Sequence, residues 1–174
     1  MWCRPGWPLD IDAARTELQE LRARRAGVND LLSLKEGVWH ALFQARGTAR
    51  GPQWCLMLLA CYEAVAEQTR APQDEREAIA ARLRCAALFP DGPAAAQWRQ
   101  AARVWYWSVL RSESPEQVSA DLTAWRTLPH ERIRQLGFLR NVLADLRRHP
   151  EFIAGLPEDE AAELAHWLAL LPML

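Results

Sequence analysis

HERIRQLGFLRNVLADLRRHP, residues 130–150, has two unlike sides. Leu136, Leu139, Val142, Leu143 and Leu146 recur at the ~3.6-residue period and share one broad side of a helix, which must be packed against something apolar. The opposite side is basic. Arg134, Asn141 and Arg148 repeat every seven residues along it, with Arg140 and Arg147 beside them, His130 at the start and Gly137 in the middle. Guanidinium forks recognise carboxylates and phosphates, and a glycine between them leaves room for a ligand to approach. A solvated charged face, with Arg147, Arg148 and His149 suiting the helix C-terminal dipole, is the plainer reading of the same residues.

The same periodicity runs through most of the chain. Val, Ile and Thr together number sixteen, no stretch alternates apolar with polar over a strand length, and Ala, Leu, Arg and Glu dominate. The expected fold is therefore all-α. Breaks at Gly27, Gly47 to Pro52, Ala71-Pro72, Pro90 to Pro93, Ser112 to Pro115, Leu128-Pro129, His149-Pro150 and Leu156-Pro157 predict seven or eight helices. These fall at about 10–26, 29–46, 53–70, 74–89, 93–111, from 114, from 129 and from 158, with 151–156 as one further turn. Gly27 is the expected stop of the first helix, Asn29 or Asp30 the cap of the second, Asp74 with Glu77 the start of the fourth, and Ser114 the cap of the sixth.

Pro52, Pro93 and Pro129 open alternate helices, so the chain parses as helical hairpins beginning near residues 10, 52, 93 and 129. A single irregular bundle over 1–174, with 1–9 as an irregular arm, is the expected organisation. A short α-solenoid is the alternative, although the units do not match one another and none carries the Trp-Leu-Gly-Tyr-Ala-Phe-Pro pattern of tetratricopeptide repeats. In the 53–70 helix, Trp54, Leu58, Cys61 and Val65 form a stripe, and Leu56 and Leu59 extend it almost all round, so its first half belongs at the centre of a core. Ile79, Leu83 and Ala86 are the expected core positions of the fourth helix, and Leu164, Leu168 and Leu171 of the last.

At 174 residues, half apolar and a quarter charged, the chain can bury roughly 70% of its surface without staples. Cys3, Cys55, Cys61 and Cys85 show no metal-ligand spacing, and the last three sit in apolar helical contexts as small core residues. No leader or bilayer-length apolar run is apparent, so a reduced cytoplasmic protein with no membrane partner is expected. A net charge of −1 removes the simplest argument for nucleic acid. The basic residues are twenty arginines and one lysine, Lys35.

The nine tryptophans point to interfaces, where Trp and Arg are enriched as anchors. Trp98, Ala102, Trp105 and Val109 share the expected core stripe of the 93–111 helix. Trp107 then projects away from it, with Arg103 and Arg111 one turn to either side. That line is a candidate partner anchor or base-stacking platform, unless a further helix covers it. Trp2 and Trp7 are expected to fold onto the body.

Catalytic constellations are hard to find. His40, His130, His149 and His166 include no pair at helical ligand spacing, Glu163 with His166 is a solitary Glu-x-x-His, and Glu36 with His40 has no second motif. Glu63 and Glu67 read as surface ion-pair residues with Arg70. No metal or cofactor is expected. Residues 130–150 sum to +3 and residues 151–174 to −5, which suggests a clasp between them. The leading expectation is a non-catalytic protein-interaction module, an adaptor, chaperone, inhibitor or complex subunit, binding another protein or itself through Arg103, Trp107 and Arg111. A nucleic-acid-binding regulator using the basic face of 130–148, and a helical enzyme or small-molecule binder with a Trp-lined pocket, are the alternatives.

Overall fold

The computed structural model describes residues 10–45 and 47–174. The expected arm with Trp2, Cys3 and Trp7 lies outside them. The fold is all-α: among the described residues there are nine α-helices, one 3-10 turn and no strand. The turn expected at 151–156 is one of the nine, a short helix over Pro150–Ala154. No helix is long and apolar enough to cross a membrane, among the described residues. The chain divides into two compact units, residues 1–92 and 93–174.

The first unit holds α1 (Ile11–Ala23), α2 (Val28–Ala45), α3 (Gly51–Thr69) and α4 (Pro72–Leu88). α3 packs against all three others, because its apolar positions wrap most of its circumference. Trp54, Leu58, Leu59, Cys61 and Val65 are buried, as the periodicity predicts, while Leu56 stays partly in solvent. Ile79, Leu83 and Ala86 of α4 are buried too.

Local chemistry moves several helix ends. α1 stops not at Gly27 but at Arg25, which takes the left-handed conformation (φ 49°). There the amide of Ala26 donates to the Leu21 carbonyl at 2.9 Å and that of Arg25 to Arg22 at 3.2 Å. This is a Schellman closure, and the buried methyl of Ala26 supplies its apolar contact. α2 consequently starts at Val28, before the expected caps, with Asp30 in its first turn. α4 likewise starts at Pro72, whose fixed φ suits a first helical position, and Asp74 becomes a first-turn acid.

Glu63 and Glu67 pair across helices rather than with Arg70, Glu63 with Arg82 at 2.9 Å and Glu67 with Arg22 at 3.4 Å. Arg70 instead caps α3 in the left-handed conformation. The lone lysine, Lys35 on α2, lies 3.5 Å from Glu77 of α4, and its ammonium is 4.8 Å from the Tyr62 ring centre of α3.

The second unit holds α5 (Ala95–Leu110), α6 (Pro115–Thr123), a 3-10 turn (Trp125–Thr127), α7 (His130–Arg147), α8 (Pro150–Ala154) and α9 (Glu158–Leu170). Ser114 caps α6 as expected, its hydroxyl accepting from the Gln117 amide at 3.3 Å. All five predicted core positions of α7 are buried. Ring contacts join α5 to α7 through Trp105 and Phe138 (6.4 Å between centroids) and α5 to α8 through Tyr106 and Phe152 (6.0 Å).

The buried face of α5 is not the expected one. Ala95, Ala102, Tyr106, Trp107 and Leu110 are buried, whereas Trp98, Trp105 and Val109 are only half-buried. The core side is turned by about a quarter turn from the Trp98–Val109 stripe. On α9, Leu164, Trp167 and Leu170 point inward, and Leu168 and Leu171 flank them.

Candidate functional site

α9 covers Trp107 in the line Arg103, Trp107, Arg111 and pairs with both arginines, of which Arg111 stays exposed. Trp107 is 8% exposed, and its indole N–H donates to Oε2 of Glu160 at 2.7 Å. Nε and Nη2 of Arg103 donate to the same carboxylate at 2.8 and 2.9 Å, a bidentate fork. One turn along, Arg111 donates to Glu163 at 2.9 Å and lays its guanidinium 4.8 Å from the Trp107 ring centre. The expectation that Trp107 projects from the surface is therefore corrected. Glu160, which reads in sequence as an acid at a helix start, is the side chain that meets the indole.

Electrostatics and packing act together there. Hydrogen bonding to Arg103, reinforced by the Trp107 N–H, holds the Glu160 carboxyl below its ordinary range against the opposing effect of burial. The guanidinium of Arg103 is raised in turn, chiefly by the same hydrogen bonds. α9 is also fixed by Leu164 and Trp167, each 1% exposed, so it cannot lift off Trp107 without exposing a core tryptophan. The cluster is a structural clamp.

α6 and α7 are joined by a second clamp that sequence reading missed. Arg132 forks onto Glu113 at 2.8 and 2.9 Å and donates to Asp121 at 2.7 Å, while Gln117 donates to Asp121 at 2.8 Å. The Asp121 carboxyl is lowered by these bonds, that from Arg132 foremost, and the Arg132 guanidinium is raised. A surface arginine three residues into a helix gives no local sign of such bridging.

The basic face of α7 is where the sequence places it. His130, Arg134, Arg140, Asn141, Arg147 and Arg148 are all exposed. Arg134 pairs with Glu131 on its own helix, and Arg148 lies 3.4 Å from Asp145. Of the expected clasp with 151–174, a contact stands at the hinge, where His149 lies 3.0 Å from Glu151. The acids Glu160 and Glu163 go to α5 instead.

Exposed apolar groups appear elsewhere. On α2, Leu32, Trp39 and Phe43 follow one another at i, i+7 and i+11, away from the buried Leu31, Leu34 and Val38; Trp39 is 47% and Phe43 65% exposed. The spacing is legible in the sequence, but nothing local marks it as the outer side of an amphipathic helix. Trp125, in the 3-10 turn, is also exposed, with Arg126 beside its ring at 5.6 Å.

An open groove of about 480 Å³ runs between α1 and α3, floored by Leu18, Leu56, Met57 and Ala60 and edged by Arg15 and Arg22; no tryptophan lines it. Burial pushes the thiols of Cys61 and Cys85 up to about 12 and raises Cys55. These thiols are poorly poised as nucleophiles. Among the described residues no three His, Cys, Asp or Glu side chains converge on a point that could hold a metal. No protein-family model, curated protein or solved structure matches the chain.

Proposed function

We propose that the chain is a non-catalytic protein-interaction module that holds another polypeptide, or a second copy of itself, against the outer face of α2. One observation carries this reading, the row Leu32, Trp39 and Phe43 left exposed on a helix whose other side buries Leu31, Leu34 and Val38. Completing the burial of each aromatic is worth on the order of 1–2 kcal/mol, which packing within the first unit leaves uncollected. Aromatic anchors in a row along one helix face are what helix-in-groove recognition uses. The anchor thus moves from Arg103, Trp107 and Arg111, which α9 occupies, to α2.

Native mass spectrometry of the protein isolated gently from its own cells tests this, comparing the unaltered chain with the double variant Trp39→Ser, Phe43→Ser. A defined second polypeptide or a homo-oligomer that the variant loses is the expected result. An assembly untouched by the variant, or a bare chain carrying nucleic acid or a small ligand, would overturn it.

A further inference from the structure

The outer face of α7 has an order that the protein-interaction reading of α2 does not use. His130, Arg134, Asn141 and Arg148 form one line along it, and Ile133, Arg140 and Arg147 a second, about 100° round the helix. Gly137 and Ala144 lie between the lines. A Cβ placed on Gly137 would meet no atom within 4 Å, so the floor between the two rows is open as well as low. Ile133 is an exposed apolar group on the rim. The result is a shallow trough with a small-residue floor and cationic walls.

The charges in those walls are not equivalent. Arg134 and Arg148 are matched by Glu131 and Asp145 of α7 itself, and two of the α9 acids, Glu160 and Glu163, are held on Arg103 and Arg111. Among the described residues, Arg140 and Arg147 are exposed and enter no ion pair with a carboxylate, and they sit seven residues apart on the same wall.

We propose that this trough is a docking surface for an acidic amphipathic helix of a partner protein. Two unmatched guanidiniums are complementary to carboxylates on the flank of such a helix, and the low floor lets its small apolar side chains come close. A nucleic-acid backbone fits less well. Its affinity comes from neutralising many phosphates, whereas this wall offers two unmatched cations on a chain of net charge −1. The trough lies in the second unit and its occupancy does not depend on the α2 row.

The test uses the full chain and three fluorescent probes. They are a three-heptad helical peptide with Glu flanking an Ala/Leu seam, the same peptide with Lys for Glu, and a single-stranded thymidine oligonucleotide. Anisotropy is read at about 50 mM salt. The Glu peptide is expected to bind and the Lys peptide not to. The double variant Arg140→Ala, Arg147→Ala should weaken the Glu peptide by about tenfold or more. Gly137→Leu should weaken it similarly while circular dichroism shows helicity kept or increased, since leucine is the better helix former. A merely solvated face would gain helix and lose nothing.

Equal binding by the chain and both variants would overturn the proposal. So would failure of the Glu peptide to bind, or tighter binding of the oligonucleotide. Persistence of Glu-peptide binding in the Trp39→Ser, Phe43→Ser variant separates this result from the fate of the α2 reading.

Discussion

The two units are held together by different chemistry. In the first, the buried cluster on α1, α2 and α3 is apolar throughout, from Ala14 and Leu18 through Leu34 and Val38 to Trp54 and Val65. In the second, Asp121, Asp145, His149 and Glu160 are buried among the hydrophobic side chains; these are the buried polar residues among those described. Area-proportional, non-directional burial tolerates small shifts of a helix, whereas a forked guanidinium–carboxylate bond fixes both its register and its rotation. The first unit has cross-helix pairs too, such as Glu63 with Arg82, but among its described residues no charged side chain is buried. The second also depends on which arginine meets which acid.

Five perturbations bear on that contrast, the largest first. Trp167→Ala, at a site with 1% exposure, should cost about 3–5 kcal/mol, and Leu34→Ala in the first unit about 2–5 kcal/mol, both read from urea unfolding. Comparable losses would show that both units still rest on apolar packing and that the clamps add orientation. A far smaller loss at Trp167 would reverse the weighting for the second unit.

Next comes Glu160→Ala. It strands the buried Trp107 N–H, which costs on the order of 1–3 kcal/mol. pH probes the same contact. Glu160 and Asp121 have folded-state carboxyls held below their ordinary values, near 4.3 and 3.9 when unfolded. Their contribution is therefore complete above those values and is lost as pH falls through the lower folded ones. Below about pH 4, hydrogen exchange corrected for its intrinsic pH dependence should show α5, α6 and α9 losing protection before α3. Simultaneous loss, or earlier loss in α3, would break the comparison.

The smallest effect is Gly137→Ala on the open face of α7, which should raise stability by about 1 kcal/mol or less. A destabilisation would mean that this position is more closely approached than the structure shows.

What the sequence discloses follows the same divide. The buried residues of α3, α4 and α7 follow from periodicity because each helix has one apolar side or is apolar nearly all round. α5 defeats that method. Trp98, Trp105 and Trp107 make it apolar on several sides, and the choice among them is made by Glu160, 53 residues away. Glu160 in turn resembles any acid at a helix start. Arg25 was illegible for a different reason, since a glycine two residues later offered the more usual left-handed stop. The basic face of α7 was legible because exposure and charge are both local properties. The α2 row needed knowledge of which side of an amphipathic helix its neighbours leave open.

The single lysine also makes the molecule chemically addressable. Arginine supplies every other permanent side-chain cation, and guanidinium groups do not acylate under conditions that modify amines, so Lys35 is the one side-chain amine that an acylating reagent can modify. That ammonium sits between Glu77 of α4 and the Tyr62 ring of α3. A label there would report on the α2–α3–α4 junction alone and leave the arginine walls of α7 chemically unchanged.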